Sequence, residues 1–309
     1  MSFDQQSQAG IFPDLKELLG LKSAAKHLHF EAHRRTLSLR AGHYRSVYHG
    51  RGLDFDEVRP YQAGDEIRTI DWRVTARRGY PHTKLYREER ERPNLLFVDL
   101  GASMFFGSQR LKSAQAIRAA ALSAWAAHLA GDRVGGVISS DQETWLRPPR
   151  GQRESLLALL NALQKLQPRK PSAANTDFNR DLQRLSRLTR PGSLVTIISD
   201  FQQLNDESSK ILHQLSRSND VVLIRLFDPL EAHAPKQGRF RLGAPGLIFE
   251  IDAARDAQLW QGKHAKASEN LSQLERQLEL PVMDLSSEAD VARQLLLALN
   301  PAGAHQGVG

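Results

Sequence analysis

The chain contains no cysteine among its 309 residues. That absence excludes disulfides, thiolate-ligated zinc, iron–sulfur clusters and thiol catalysis, and it suits a reducing compartment. No stretch approaches the roughly 18 consecutive apolar residues that a membrane-spanning helix requires. The first residues, Met1-Ser-Phe-Asp-Gln-Gln-Ser-Gln8, lack the basic head and apolar core of a secretory signal. A cytoplasmic protein without a transmembrane segment is therefore expected, although a membrane-bound partner stays compatible. Walker-type Gly-Lys-Ser/Thr triplets are missing as well. The histidines His27, His29, His33, His43 and His82 have no carboxylate or hydroxyl at a spacing that would build a catalytic relay. His128 lies in an alanine-rich segment and reads as a packed residue. No catalytic residue is assigned, and no enzyme is expected.

What is present begins with charge. Net charge is +7, and residues 21–94 hold 16 Lys/Arg against 10 Asp/Glu, a difference of +6, so the remainder is almost balanced. Acids and bases alternate inside that segment, as in Asp54-Phe-Asp-Glu-Val-Arg59 and Arg87-Glu-Glu-Arg-Glu-Arg92. Interleaving favours internal ion pairing over a phosphate track, which would be more uniformly basic. Nucleic acid is accordingly not the expected partner.

Hydrophobic patterning divides the chain into four parts. Residues 1–20 read as a flexible N-terminus in which Pro13–Gly20 is a short helix stopped by glycine. Residues 21–93 are helical to about Arg40 and then, from Gly50 to Arg78, dense in Gly, Asp, Arg and aromatics without a clean period. From residue 94 to 300 strands alternate with helices, and 301–309 read as a disordered tail. The run Leu95-Leu-Phe-Val-Asp-Leu100 is short and nearly continuously apolar, the pattern of a strand buried on both faces. An alanine-rich helix to Ala130 follows, then strands near 133–139, 144–147, 194–199, 221–227 and 281–284 separated by helical segments. Alternation of this kind predicts βαβ units with right-handed crossovers. The expected fold is α/β, a doubly wound, mostly parallel sheet flanked by helices, with an N-terminal appendage of helix and short strands.

Two of those strands end in carboxylates. Asp99 closes the first and Asp200 follows Leu194–Ser199, so both are delivered to the carboxyl edge of the sheet, where open α/β folds bind ligands. Ser103 stands four positions after Asp99, and Thr176-Asp177 precedes a helix. Asp99, Ser103, Thr176 and Asp200 can together offer only oxygens, which suits Mg²⁺. Each has an ordinary alternative: Asp99 and Asp200 as turn residues, Ser103 and Thr176-Asp177 as helix caps.

The order Asp99-x-Gly101-x-Ser103, Thr176, Asp200 resembles the metal-ion-dependent adhesion site (MIDAS) of von Willebrand factor A domains, Asp-x-Ser-x-Ser…Thr…Asp. Gly101 replaces one serine of that pattern, which makes the site incomplete by one hydroxyl. A second block, Arg59-Pro-Tyr-Gln-Ala-Gly-Asp65-Glu-Ile-Arg68-Thr-Ile-Asp71-Trp72-Arg-Val-Thr-Ala-Arg77, followed by Glu88/Glu89 and the Asp99 strand, resembles the bacterial domain-of-unknown-function fifty-eight (DUF58) family over roughly residues 20–230. That resemblance implies a von Willebrand factor A-like fold and an adaptor or assembly role beside a MoxR-type AAA+ ATPase or its client. The residues Asp65, Arg68, Asp71 and Arg77 then read either as an ion network docking residues 21–93 onto the main domain, with Trp72 as apolar anchor, or as a partner-facing patch rich in hot-spot residue types. Docking is the preferred expectation.

The functional expectation is a non-enzymatic protein-binding module with a degenerate Mg²⁺-dependent adhesion site. Two alternatives stay open: a metal-dependent phosphoesterase using the same carboxylates, and nucleic-acid binding through the basic N-terminal region.

Overall fold

The computed structural model describes residues 12–28, 53–62, 70–88, 91–150, 152–170, 176–232, 239–244 and 247–299. Two compact units are present. The larger comprises Met1–Ser46 with Arg92–Gly309 and the smaller comprises Val47–Glu91.

In the larger unit the chain begins with two short helices, α1 (Leu15–Gly20) and α2 (Lys22–Ala25). Asp14 caps α1 by accepting the Glu17 N–H at 2.7 Å. These residues are part of the main core: Leu18, Ala25 and Leu28 are buried in it, and the Trp125 indole N–H donates to the Leu18 carbonyl at 2.9 Å. Within residues 1–20, read as a flexible N-terminus with a short helix over Pro13–Gly20, the helix from Leu15 onward is packed into the core. The helical pattern expected beyond residue 28, like the 301–309 tail, falls outside the described residues.

The smaller unit pairs β1 (Leu53–Pro60) with β2 (His82–Glu88) in an antiparallel ribbon, and helix α3 (Trp72–Arg78) lies between them in sequence. Asp71 caps α3 through the Arg73 and Val74 N–H groups at 2.9 and 3.1 Å. Gly79, at φ 78°, ends the helix in the left-handed conformation that glycine adopts without penalty.

The larger unit then builds its sheet from β3 (Pro93–Leu100), helix α4 (Lys112–Leu129), β4 (Arg133–Ser140), β5 (Thr144–Arg147), helices α5 (Gln152–Lys165) and α6 (Phe178–Leu188), β6 (Leu194–Ser199), α7 (Asp206–Ser216), β7 (Asp220–Phe227) and the short α8 (Pro229–Ala232). A two-stranded pair, β8 (Arg239–Ala244) and β9 (Leu247–Asp252), leads into α9 (Ala253–Leu278), β10 (Val282–Ser286) and α10 (Val291–Leu299). The six-stranded sheet has the order β10-β7-β6-β3-β4-β5, parallel except at its β5 edge. This is the expected α/β, doubly wound architecture. The chain runs outward from β3 to β4 and then returns to β6 on the other side, so the order of strands reverses around β3.

Side-chain alternation along β3 feeds both layers. Leu96, Val98 and Leu100 join one core cluster with α4, α5 and α10, while Leu95 and Phe97 join the other with α6, α7 and α9. Burial on both faces explains the unbroken apolar run in the sequence. Helix α4 is buried almost throughout, and its alanines allow it close to the sheet. Strands β3 and β4 also meet closely: a Cβ on Gly136 would stand 2.0 Å from the Leu96 carbonyl oxygen. Among the described residues no helix is long and apolar enough to cross a membrane.

Candidate functional site

Strands β3 and β6 are hydrogen-bonded neighbours in register from Asn94↔Leu194 to Val98↔Ile198. One step further, Asp99 lies beside Ser199, and Asp200 leaves the sheet at the next residue. The two strand-end carboxylates are therefore brought together at the reversal of strand order, the place where such sheets take ligands.

Each carboxylate divides its oxygens between a local turn and a neighbour. Asp99 Oδ1 accepts the Gly101 N–H at 2.9 Å, and its Oδ2 accepts the Ser199 hydroxyl at 2.7 Å. Asp200 Oδ1 accepts the Gln202 N–H at 3.1 Å, and its Oδ2 accepts the Lys112 ammonium at 2.8 Å. The turn-residue interpretation thus holds for one oxygen of each. Phe201, immediately after Asp200, has φ 56°, a conformation that costs an L-residue roughly 1–2 kcal/mol. Its fully buried ring in the second core cluster holds that bend in place.

The two hydroxyls complete the predicted set. Ser103 lies in a single 3₁₀ turn, Ala102–Met104, and caps nothing. Its Oγ is buried and has no hydrogen-bond partner. Capping of α6 falls to Asp177, which accepts the Arg180 N–H at 3.0 Å. Thr176 is therefore free of that duty, and its Oγ1 accepts the Gln203 side-chain amide at 2.9 Å. Gly101 marks the point of convergence: a Cβ there would lie 2.7 Å from Thr176 Oγ1 and 3.1 Å from Asp99 Oδ1. Oxygens from the end of β3 and from the loop before α6 thus flank one small space over a side-chain-free residue.

Two site residues were not anticipated from sequence. Lys112, the first residue of α4, is fully buried, and its ammonium bridges Asp200 to the Glu231 carboxylate of α8. The other Glu231 oxygen accepts the Asp228 N–H at 3.1 Å. No local signal marks Lys112, since a lysine in the first turn of a helix reads as solvated. Nothing marked Glu231, because its four-residue helix carries no periodicity.

Electrostatics follow from burial. Loss of solvent, and then the neighbouring Asp200, raise the Asp99 carboxyl to about 6, against the opposing pull of the Ser199 and Gly101 hydrogen bonds and the Lys112 charge. Burial alone would lower Lys112, but Asp200 and Glu231 hold it above its ordinary value, so it stays an ammonium. Asp228 is pushed up by burial yet held below the usual carboxylate range by hydrogen bonds from Ser287, Ser108 and Leu230.

The donor chemistry fits a hard divalent cation. Asp99, Ser103 and Thr176 offer oxygen alone, one of them a buried hydroxyl without a partner. Asp200 already faces a cation in Lys112. Among the described residues no three His, Asp or Glu side chains gather into a ligand cluster, so any ion here would rely on hydroxyls and water for most of its shell.

The signature block occupies the smaller unit. Arg59 donates to the Pro60 carbonyl at 3.1 Å, Asp71 caps α3, and Arg77 lies exposed in the last turn of α3. Trp72, expected as an apolar anchor, is 66% exposed. Asp65 and Arg68 lie outside the described residues.

Among known proteins, the chain is similar to Uncharacterized protein Rv1480 of Mycobacterium tuberculosis and Uncharacterized protein Mb1516 of Mycobacterium bovis. Identity to each is 29% over 219 residues, covering 69% of this chain and 68% of theirs. Among solved structures, it is similar to an aerotolerance-related membrane protein from Bacteroides fragilis, with a TM-score of 0.40 and 16% identity, covering 67% of this chain and 96% of that one. Residues 57–269 match the family described as Protein of unknown function DUF58, a span that runs from β1 through the strand-end site into α9, and the chain belongs to that family.

Proposed function

We propose that the protein is a non-enzymatic binding module, an adaptor that presents the carboxyl edge of its sheet to a protein partner. By family resemblance that partner is a MoxR-type AAA+ ATPase or its client. The observation that carries the reading is the convergence of Thr176 Oγ1 and Asp99 Oδ1 on the space above Gly101. Supporting it are the buried Ser103 hydroxyl without a partner and the degenerate adhesion-site order of the same residues.

The residues have separable roles in this reading. Ser199 and the Gly101 N–H fix the Asp99 rotamer from both oxygens. The Gln203 amide orients Thr176. Asp99, Ser103 and Thr176 would hold Mg²⁺, and the ion would supply an open coordination position suited to a carboxylate of the partner.

The test is a pull-down from lysate of the source bacterium with the candidate ATPase followed by immunoblot, in Mg²⁺ and in EDTA. The expected result is capture that EDTA and Asp99→Ala each reduce. Capture unchanged by both would sink the metal-assisted reading.

A further inference from the structure

We infer that Lys112 is a resident counter-cation of this site, holding Asp200 out of a divalent ion's reach and so setting a weak-binding resting state. The inference rests on the cation reading proposed above and names its regulation.

The placement of Lys112 is costly in two ways. Its side chain is fully buried. It stands at the first position of an 18-residue helix, where the macrodipole favours anions and disfavours an ammonium. A cation–π contact with the Phe106 ring, whose centroid lies 5.9 Å from the ammonium, recovers little of this. Those costs are offset by two carboxylates from two other elements, Asp200 at 2.8 Å after β6 and Glu231 in α8.

Geometry gives this lysine a function at the site. Asp200 is the only predicted oxygen ligand whose partner is a cation, and the Lys112 charge is close enough to act on Asp99 as well. A divalent ion beside Asp99 would be repelled by the ammonium and would find Asp200 already neutralised. Glu231 matters because it shares the ammonium. With Glu231 charged, the lysine's hold on Asp200 is divided, and without that charge it falls on Asp200 alone.

The experiment is calorimetric titration of the full chain with MgCl₂ alone, paired with thermal unfolding at increasing Mg²⁺. Lys112→Met is expected to bind Mg²⁺ about tenfold or more tightly than wild type, since it removes a like charge at short range, and to gain more thermal stability from the ion. Glu231→Gln is expected to bind it more weakly. Binding by Lys112→Met that is no tighter than wild type overturns the inference, including the case in which neither binds. If wild type takes up no Mg²⁺ while Lys112→Met does, the inference stands and the cation reading of the wild-type site fails. If wild type binds, Asp99→Ala abolishes it and Lys112→Met changes nothing, the reading stands and the inference falls. Should Lys112→Met not fold even in Mg²⁺, Glu231→Gln decides: uptake no weaker than wild type, or none in either, overturns the inference.

Discussion

The Ser199 hydroxyl donates to Asp99 Oδ2 at 2.7 Å, joining the ends of two adjacent parallel strands through side chains where the backbone ladder stops. The same hydroxyl accepts the Phe201 N–H at 3.0 Å, so the bend after β6 and the rotamer of Asp99 are fixed by one oxygen. The carboxylate is rigid, desolvated and close to a second one.

That relationship makes Asp99 a source of pH-dependent instability. Its folded-state value of about 6 lies above the unfolded value of 3.8, so the folded protein binds the extra proton between those limits. Stability therefore falls as pH rises from about 4 to 6, by about 3 kcal/mol at neutral pH from this group. Asp99→Asn removes the effect. In EDTA, urea unfolding of the two proteins at pH 4.5 and 7.5 should show the variant gaining on wild type at the higher pH. A difference that does not change with pH would refute the assignment. Asp228 has the opposite sign: its lowered value adds stability that is lost only as pH falls below the ordinary carboxylate range.

Restoring the serine of the adhesion pattern should not restore the site. Gly101 has φ −68°, open to any residue, so the obstacle is space: a new Cβ meets Thr176 Oγ1 at 2.7 Å. Gly101→Ser is expected to destabilise the fold by about 1–3 kcal/mol through overpacking and to weaken Mg²⁺ uptake. A stable variant with tighter Mg²⁺ binding by calorimetry would show that Thr176 yields easily.

Trp72 separates the two expectations for the signature block. An exposed tryptophan contributes little to folding, and its truncation should shift stability by no more than about 0.5 kcal/mol. If α3 is a partner surface, Trp72→Ala should cost the complex more than 1 kcal/mol by calorimetry, as interface hot spots do. A large loss of folding stability would instead restore the apolar-anchor interpretation.

The sheet was legible because its strands are buried on both faces, which leaves short unbroken apolar runs such as Leu95–Val98 and Leu194–Ile198 between helical periods. The two strand-end carboxylates were legible for the same reason, since a charge terminating such a run has one place to go. Lys112 was not. A lysine inside the first turn of a helix reads as solvated. Only the return of the chain at Asp200 and Glu231, 88 and 119 residues away, gives it partners. The short helices α1 and α2 were visible as helices, but their membership of the core depends on Trp125 and Arg118 in α4. No local pattern reports such long-range contacts.

The close meeting of β3 and β4 restricts what this protein can inherit. At Gly136, φ is 152° and the Leu96 carbonyl occupies the place of a side chain, so position 136 is closed to every other amino acid unless the two strands part. Because β3 carries Asp99, a substitution at position 136 would shift the carboxyl edge of the sheet from its opposite flank. A relative that aligns another residue with Gly136 is therefore expected to carry a compensating bulge in β3 or β4, or to have abandoned the site.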